Sequence, residues 1–226
     1  MSSEPKFTQI SNYEQASQIY EYAKEDSNKY IGNENLCDFF DDDYFTKEHF
    51  WNYIMSNIIQ NENPNKLLLD YIFLEEYDGK VFGYKDVSIS KLQFFHPLTK
   101  DEKWVVVYID EMCSFSRLKT LSDKYGFKNI GKKLFDDFKH YLKNEYPKNR
   151  ILIWLLSTEN SKKFHLKNKM RSSGDNNRFL TQFWNDKNQT IYEMFEKKEY
   201  GFDDNNEKVL GKDEVFGEND LYYIIN

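Results

Sequence analysis

Two adjacent carboxylates, Asp110 and Glu111, lie near the end of an otherwise apolar stretch, WVVVYIDEMCSF at positions 104–115. Apolar side chains fall on both faces of this stretch, which predicts a strand covered on both sides. An ionised carboxylate is costly to bury without a partner, so the pair requires a local explanation. Either side chain could act as a general base that removes a proton from a substrate. The alternative is structural, namely a carboxylate paired with a lysine or tyrosine at the exposed end of the strand.

A second candidate follows this strand, in KYGFKNIGKKLFDDF at positions 124–138. Helical spacing begins near Ile130, and the first amides of a helix have no partners within the helix and face outward at the positive end of its dipole. Gly131 lets an anion approach closely, and Lys128, Lys132 and Lys133 add positive charge. The segment therefore predicts a phosphate site at a helix start. The alternative is an ordinary capped helix.

Composition excludes several classes of function. The chain has 226 residues, of which 39% are hydrophobic and 18% aromatic, which is enough for a core. A formal net charge of −7 argues against a protein that binds nucleic acid through its phosphate backbone. The longest apolar run, at 151–156, is far shorter than the roughly 18 residues of a membrane span, so we expect no membrane partner.

The two cysteines, Cys37 and Cys113, have no spacing typical of metal ligands and indicate no disulfide framework. We therefore expect reduced thiols, no metal and a cytoplasmic location, which would be the host-cell cytoplasm if the protein is viral.

The elements that must position these candidates can be outlined from periodicity. We expect a strand at 7–10, a helix at 12–26 capped by Asn12, and a helix at 45–61 capped by Thr46. Asp78-Gly79 predicts a tight hairpin between two strands. The strand at 104–115, a helix at 129–147 and a strand at 150–157 predict a parallel crossover. One domain over 1–226 is expected, with a possible insertion at about 158–187. Further on, we expect a helix at 190–202 and the last strands at 209–216 and 220–226.

The window 126–131, which reads GFKNIG, resembles the phosphate-binding helix start of the GNAT superfamily of N-acetyltransferases, Gln/Arg-x-x-Gly-x-Gly/Ala. Gly126 stands where that family has Gln or Arg, and Asn129 replaces a glycine. The order of elements is similar over about 7–226, most closely over 77–160. The resemblance implies an α/β (α+β) fold with a mixed, mostly antiparallel sheet flanked by helices.

The resemblance also implies direct transfer of an acetyl group from acetyl-CoA to a primary amine, without a metal. Glu111 is then the general base, with Asp110 in reserve, and the amide of Met112 or Cys113 donates to the thioester oxygen. The residues implied to contact the cofactor are Met112, Cys113, Ser114, Phe127, Lys128, Asn129, Ile130, Gly131, Lys132 and Asn188.

Two segments compete for the helix that carries the family's acid, a tyrosine. In the first, at 159–170, Lys167 falls at the tyrosine position. The second, at 188–202, has Asn188 at its start and a Gly-Phe pair at its end, with Phe195 at the tyrosine position. We prefer the second segment, in which Tyr192 is the candidate acid. If neither segment supplies an acid, solvent could protonate the thiolate.

A function of another class is compatible with the same residues: an acetyltransferase scaffold that has lost catalysis and serves as an interaction or structural protein. For the enzyme, protein amino termini, lysines, amino sugars and polyamines all remain possible acceptors. Oligomeric state is also open, with a homodimer among the possibilities.

Overall fold

The structure is a computed structural model that describes residues 6–29, 46–64, 66–77, 80–99, 101–114, 130–157, 159–172, 180, 182–191, 193 and 220–226. Four helices occur in these ranges: α1 (Tyr13–Lys29), α2 (Lys47–Asn61), α3 (Ile130–Glu145) and α4 (Glu159–Lys167). The strands are β1 (Lys6–Gln9), β2 (Leu68–Tyr77), β3 (Lys80–Ser90), β4 (Phe94–Phe95), β5 (Trp104–Ser114), β6 (Arg150–Leu156), β7 (Arg171–Ser172), β8 (Trp184–Asn185) and β9 (Asp220–Ile225).

The strands are hydrogen-bonded in the order β1-β2-β3-β5-β6-β9-β7, and β4 joins β5 to β8. Strands β5 and β6 are parallel, with Trp104 opposite Arg150 and Ile109 opposite Leu155. The other registered pairs are antiparallel. The predicted fold class, a mixed and mostly antiparallel sheet flanked by helices, is therefore confirmed, and so is the parallel crossover through α3.

Local signals explain the first two helices. The Asn12 side chain accepts a hydrogen bond from the Gln15 amide at 3.0 Å, one residue before α1 begins. Thr46 and His49 form a reciprocal cap at the start of α2, with both hydrogen bonds at 3.3 Å. Both predicted caps are confirmed. The hairpin residues Asp78 and Gly79 lie outside the described residues, and so does the predicted strand at 209–216.

The chain divides into two compact units. The first comprises Met1–Pro64, Asp70–Val87 and Asp110–Leu142, and the second comprises Asn65–Leu69, Ser88–Ile109 and Lys143–Asn226. The first unit has a core of apolar side chains that includes Ile19, Phe50, Ile54, Leu74, Phe82 and Leu134. The core of the second unit includes Trp104, Val106, Leu152, Trp154 and Phe183. One domain over 1–226, with its insertion at about 158–187, stays a prediction.

None of the helices described above has the length and apolar character needed to cross a membrane.

Candidate functional site

The predicted catalytic carboxylates lie on the last five residues of β5. The register of β5 with β6 ends at Ile109, opposite Leu155, while β5 continues through Asp110–Ser114. Within this final segment Asp110 is exposed, Glu111 is half-buried and Cys113 is fully buried. The segment belongs to the first unit, as does the whole surrounding described below.

Strand β3 approaches this segment closely. A Cβ atom built on Gly83 would lie 2.4 Å from the carbonyl oxygen of Cys113 and 2.9 Å from a methyl carbon of Leu134. No real Cβ tolerates a backbone oxygen at that distance, so a glycine is needed for the two strands to pack this closely. Tyr84, the next residue of β3, therefore lies beside the strand segment that carries Glu111.

Glu111 acts electrostatically on the buried Tyr84 of β3. Tyr84 is only 2% exposed, and its ring packs edge-on against Phe50 with 6.4 Å between the centroids. Burial raises the pKa of Tyr84 well above its usual value, and the charge of Glu111 raises it further. The phenol is therefore protonated and can donate to the carboxylate. A tyrosine partner for the carboxylate is the structural alternative that the sequence left open.

A second tyrosine and carboxylate lie next to this pair. The Tyr53 hydroxyl, from α2, donates to Oδ2 of Asp86 at 2.6 Å. Burial raises the pKa of Tyr53, followed by the charge of Asp86 and the hydrogen bond with Asp86, while the charge of Asp110 makes a smaller contribution in the same direction. The phenols of Tyr53 and Tyr84 thus remain protonated. The carboxylates near them are those of Asp86, Asp110 and Glu111.

Sequence reasoning missed Tyr53, Tyr84 and Asp86. The alternation in GYKDVSIS places Tyr84 and Asp86 on one face of β3. That signal shows that the two residues share a face, but not that α2 and the end of β5 meet them there.

Helix α3, whose start the sequence predicts to bind an anion, begins at Ile130 among the described residues, and the anion site itself stays a prediction. The first turn of α3 contains Gly131 and no acidic residue. The Lys132 ammonium pairs with Asp136, and Lys133 pairs with Asp137 at 3.1 Å. Carboxylates one turn further along the helix offset the charge of these two lysines, and their contribution to an anion site stays a prediction. Phe127, Lys128 and Asn129 lie outside the described residues.

The first of the two segments competing for the helix after β6 is helical, as α4. In the second segment Asn188 lies in an exposed turn with a left-handed backbone (φ 58°). Thr190 provides the cap there, since its hydroxyl accepts a hydrogen bond from the Glu193 amide at 3.2 Å. Tyr192 lies outside the described residues, so its role as an acid stays a prediction. The contact of Asn188 with the cofactor also stays a prediction.

Cys113 corrects the expectation of reduced thiols, because it is disulfide-bonded. Its complete burial agrees with a packing role, and a disulfide sulfur is no nucleophile. Cys37 lies outside the described residues. The implied contributions of Met112, Cys113 and Ser114 to cofactor binding come from the backbone of β5 and do not require a thiol.

In the part of the chain that the structure describes, no group of three or more histidine, cysteine, aspartate or glutamate side chains could hold a metal ion.

No protein-family model matches the sequence, and no curated protein sequence matches it. The chain is similar to solved structures of acetyltransferases. One, from Thermus thermophilus, is 11% identical with a TM-score of 0.45, and the similarity covers 78% of this chain and 93% of that chain. The PaiA N-acetyltransferase from Thermoplasma acidophilum, in complex with coenzyme A, is 14% identical with a TM-score of 0.42, covering 75% and 91%. Glucosamine-6-phosphate N-acetyltransferase from Arabidopsis thaliana is 17% identical with a TM-score of 0.39, covering 74% and 92%.

The resemblance to acetyltransferases that the sequence predicts is thus confirmed, as a similarity alone. The fold is assigned from the strand order and registers of this chain, and any activity has to be argued from its own residues.

Proposed function

We propose that the protein is an N-acetyltransferase that moves an acetyl group from acetyl-CoA directly to a primary amine. The observation that carries this proposal is the position of Glu111. It is half-buried on a strand segment beyond the last residue paired with β6, and strand β3 packs closely against that segment at Gly83. A carboxylate held in this way at a strand end can accept a proton from an incoming ammonium group.

The residues that would hold acetyl-CoA lie in the same unit, with the exception of Asn188, which belongs to the second unit. The first turn of α3 presents backbone amides at Ile130, Gly131 and Lys132, and it has no acidic residue to repel a diphosphate. Gly131 has no Cβ to keep the phosphates away. Phe127, Lys128 and Asn129 would extend this site, and the amide of Met112 or Cys113 would donate to the thioester oxygen as negative charge develops on it.

Acetyl-CoA supplies the activated acetyl group. Glu111 takes a proton from the ammonium, which leaves a neutral amine able to form the new carbon–nitrogen bond as the carbon–sulfur bond breaks. Tyr192 or solvent would then protonate the leaving thiolate. No metal takes part in this proposal, and the acceptor is a primary amine on a small molecule or a protein. Formation of a homodimer is a further part of the proposal.

One observation favours the alternative, a scaffold without catalysis. Lys132 and Lys133 both pair with carboxylates of their own helix, so binding a diphosphate would require them to exchange partners or to contribute nothing. Calorimetry with acetyl-CoA separates the two functions. Heat of binding supports the enzyme, and no heat at millimolar acetyl-CoA supports the scaffold.

The role of Glu111 is tested by Glu111→Gln, with Asp110→Asn as the matched variant at the neighbouring position. Release of free coenzyme A thiol would be followed with a panel of amines: a peptide with a free amino terminus, lysine, glucosamine and a polyamine. We expect Glu111→Gln to lower kcat about 100-fold, the usual contribution of a general base, and to leave acetyl-CoA affinity unchanged. Asp110→Asn should keep kcat within about threefold of wild type, because the exposed Asp110 remains replaceable.

A larger loss in Asp110→Asn than in Glu111→Gln would transfer the role of base to Asp110. Absence of thiol release with every amine, in a protein that binds acetyl-CoA, would reject the transferase.

A further inference from the structure

A cavity lies at the start of the parallel strands β5 and β6, in the second unit, and the proposed reaction uses none of its lining residues. Its volume is about 400 Å³, within the roughly 300–1,000 Å³ of small-molecule sites. One wall is the segment before β5, which ends at Lys103, and the other is the turn at 147–149 before β6. The Arg150 amide donates to the carbonyl of Lys103 at 3.0 Å, and the Asn149 side chain donates to the same carbonyl at 3.4 Å. These hydrogen bonds hold the two walls together.

The side chain of Arg150 is fixed in the lining of this cavity. Its Nη1 donates to Oε2 of Glu102 at 2.6 Å, and its Nη2 donates to Oδ1 of Asn226. Its Cζ lies 4.6 Å from the ring centroid of Trp104, and its Nε is buried with no hydrogen-bond partner among the residues that the structure describes. Such a donor destabilises the fold, so an apolar side chain would pack on Trp104 at lower cost. A guanidinium held in one orientation suits an anion, because little conformational freedom is lost on binding.

Two lysines extend the positive charge around Arg150. Lys103 and Lys148 are exposed and line the cavity from its two walls. In the described ranges neither ammonium pairs with a carboxylate, and Glu102 is already engaged by Arg150. Asp101 remains as the lining carboxylate that opposes the two ammonium groups. The cavity thus has a local excess of positive charge in a chain whose formal net charge is −7, which indicates an anionic ligand.

We propose that this cavity binds a phosphate monoester that also carries hydroxyl groups, such as a sugar phosphate. The phosphate oxygens accept hydrogen bonds from the ammonium groups of Lys103 and Lys148 and from the remaining N–H groups of Arg150. Two ammonium groups match the charge of a phosphate monoester near neutral pH. A hydroxyl of the sugar donates to Asp101, and the volume leaves room for a ring beside the phosphate. This site is independent of the proposed acetyl transfer.

The test is a titration with ribose 5-phosphate, followed through the indole N–H resonances of the protein. Trp104 stacks on Arg150, and its Nε1 donates to Oγ1 of Thr99 at 3.0 Å, so the indole resonance that Thr99→Val shifts most identifies Trp104. We expect ribose 5-phosphate to move this resonance in a saturable way. Ribose without its phosphate should have no effect at the same concentration. Inorganic phosphate should bind about tenfold more weakly, because it lacks the hydrogen bond to Asp101.

Substitutions of single lysines locate the ligand. We expect Lys103→Met and Lys148→Met each to weaken binding of ribose 5-phosphate about three- to tenfold, the effect of one exposed charge contact. Lys91→Met is the matched control, because Lys91 is an exposed lysine of the same unit that does not line the cavity. Lys132→Met controls for phosphate bound at the start of α3. Both controls should bind ribose 5-phosphate as wild type does, and thermal unfolding verifies that all four variants fold.

The inference is overturned if the Trp104 resonance does not move at millimolar ribose 5-phosphate, or if Lys103→Met, Lys148→Met and Lys91→Met bind it equally well. Loss of binding in Lys132→Met, with binding retained in Lys103→Met, would place the ligand on α3 and reject the cavity. Inorganic phosphate that binds as tightly as ribose 5-phosphate would reject a monoester as the ligand. None of these results bears on acetyl transfer, which thiol release measures separately.

Discussion

Among individual residues, the most unusual is a lysine buried in the first unit. Lys85 and Glu75 lie on adjacent strands, both are 0% exposed, and 3.9 Å separates their charged atoms, Nζ and Oε2. The Lys85 ammonium lies 4.8 Å from the ring centroid of Phe7 and 5.4 Å from that of Phe138. Two aromatic faces and one distant carboxylate thus replace the water that a lysine ordinarily requires.

Burial changes the proton affinity of both members. Desolvation raises the pKa of Glu75 from 4.5 to about 7, with a smaller opposing effect from the charge of Lys85. Desolvation likewise lowers the pKa of Lys85 from 10.5 to about 8, partly offset by Glu75 and Asp137. The folded state holds the Glu75 proton more tightly than the unfolded state, so this group favours folding at low pH and loses that effect as pH rises through about 7. Lys85 behaves in the opposite way, and its contribution recovers as pH rises above about 8.

We therefore predict that the double variant Glu75→Gln/Lys85→Met is more stable than wild type between pH 7 and 8, where both native groups are charged and desolvated. The gain should be about 1–4 kcal/mol, as for other buried ion pairs replaced by uncharged residues. Each single variant should instead lose about 3 kcal/mol, since it leaves one buried charge without its partner. Denaturant unfolding across a pH series measures both effects.

A second expectation concerns the shape of that pH series. The wild-type free energy of unfolding should have a shallow minimum between the two pKa values, and the double variant should lack it. A double variant less stable than wild type between pH 7 and 8 would show that the pair stabilises the fold, contrary to this argument.

Helix α3 packs into the core, and its first turn is the proposed diphosphate site. Asp136 pairs with two lysines, Lys132 in the first turn and Lys139 about 10 Å further along the helix axis. A bound diphosphate at the helix start would draw on Lys132 and leave Lys139 unaffected. Because Lys132 and Lys139 both pair with Asp136, substitutions of these two lysines form a matched pair of variants.

We predict that Lys132→Met weakens acetyl-CoA binding about three- to tenfold, the effect of one screened charge contact. Lys139→Met should bind as wild type does. Calorimetry at low and high salt measures both, and the loss in Lys132→Met should shrink as salt screens the exposed charge. Equal affinity in the two variants would mean that the backbone amides alone hold the anion, or that α3 binds none.

Elements with a local cause were predictable from the sequence. Thr46 caps α2, and β5 contains β-branched residues that suit a strand covered on both sides. The parallel crossover followed from the order of these elements. The two-residue strands β4, β7 and β8 were not predictable, because so short a segment has no periodicity. The position of Tyr84 beside the end of β5 also escaped prediction, since it depends on the close approach of β3 and β5 at Gly83.

For the molecule as a whole, the state of the two cysteines indicates whether the protein resides in a reducing or an oxidising compartment. The chain has two cysteines, and the prediction of a reducing cytoplasm took both as free thiols. Cys113 is disulfide-bonded instead. Disulfides are rare in proteins kept in a reducing cytosol and are common in oxidising compartments, so this bond argues against the predicted location.

We predict that the purified protein, denatured without reductant, titrates with no free thiol, and that it titrates with two thiols after reduction, one for each cysteine of the chain. Cys113 has a completely buried side chain, so its disulfide should resist reductant until the fold opens. Reduction in native buffer and in denaturant, followed by alkylation and intact mass measurement, separates these states, and a non-reducing gel shows whether the bond joins two chains. Two reactive thiols in the protein denatured without reductant would restore the cytoplasmic assignment, and Cys113 would then be a buried thiol that only packs beside Gly83.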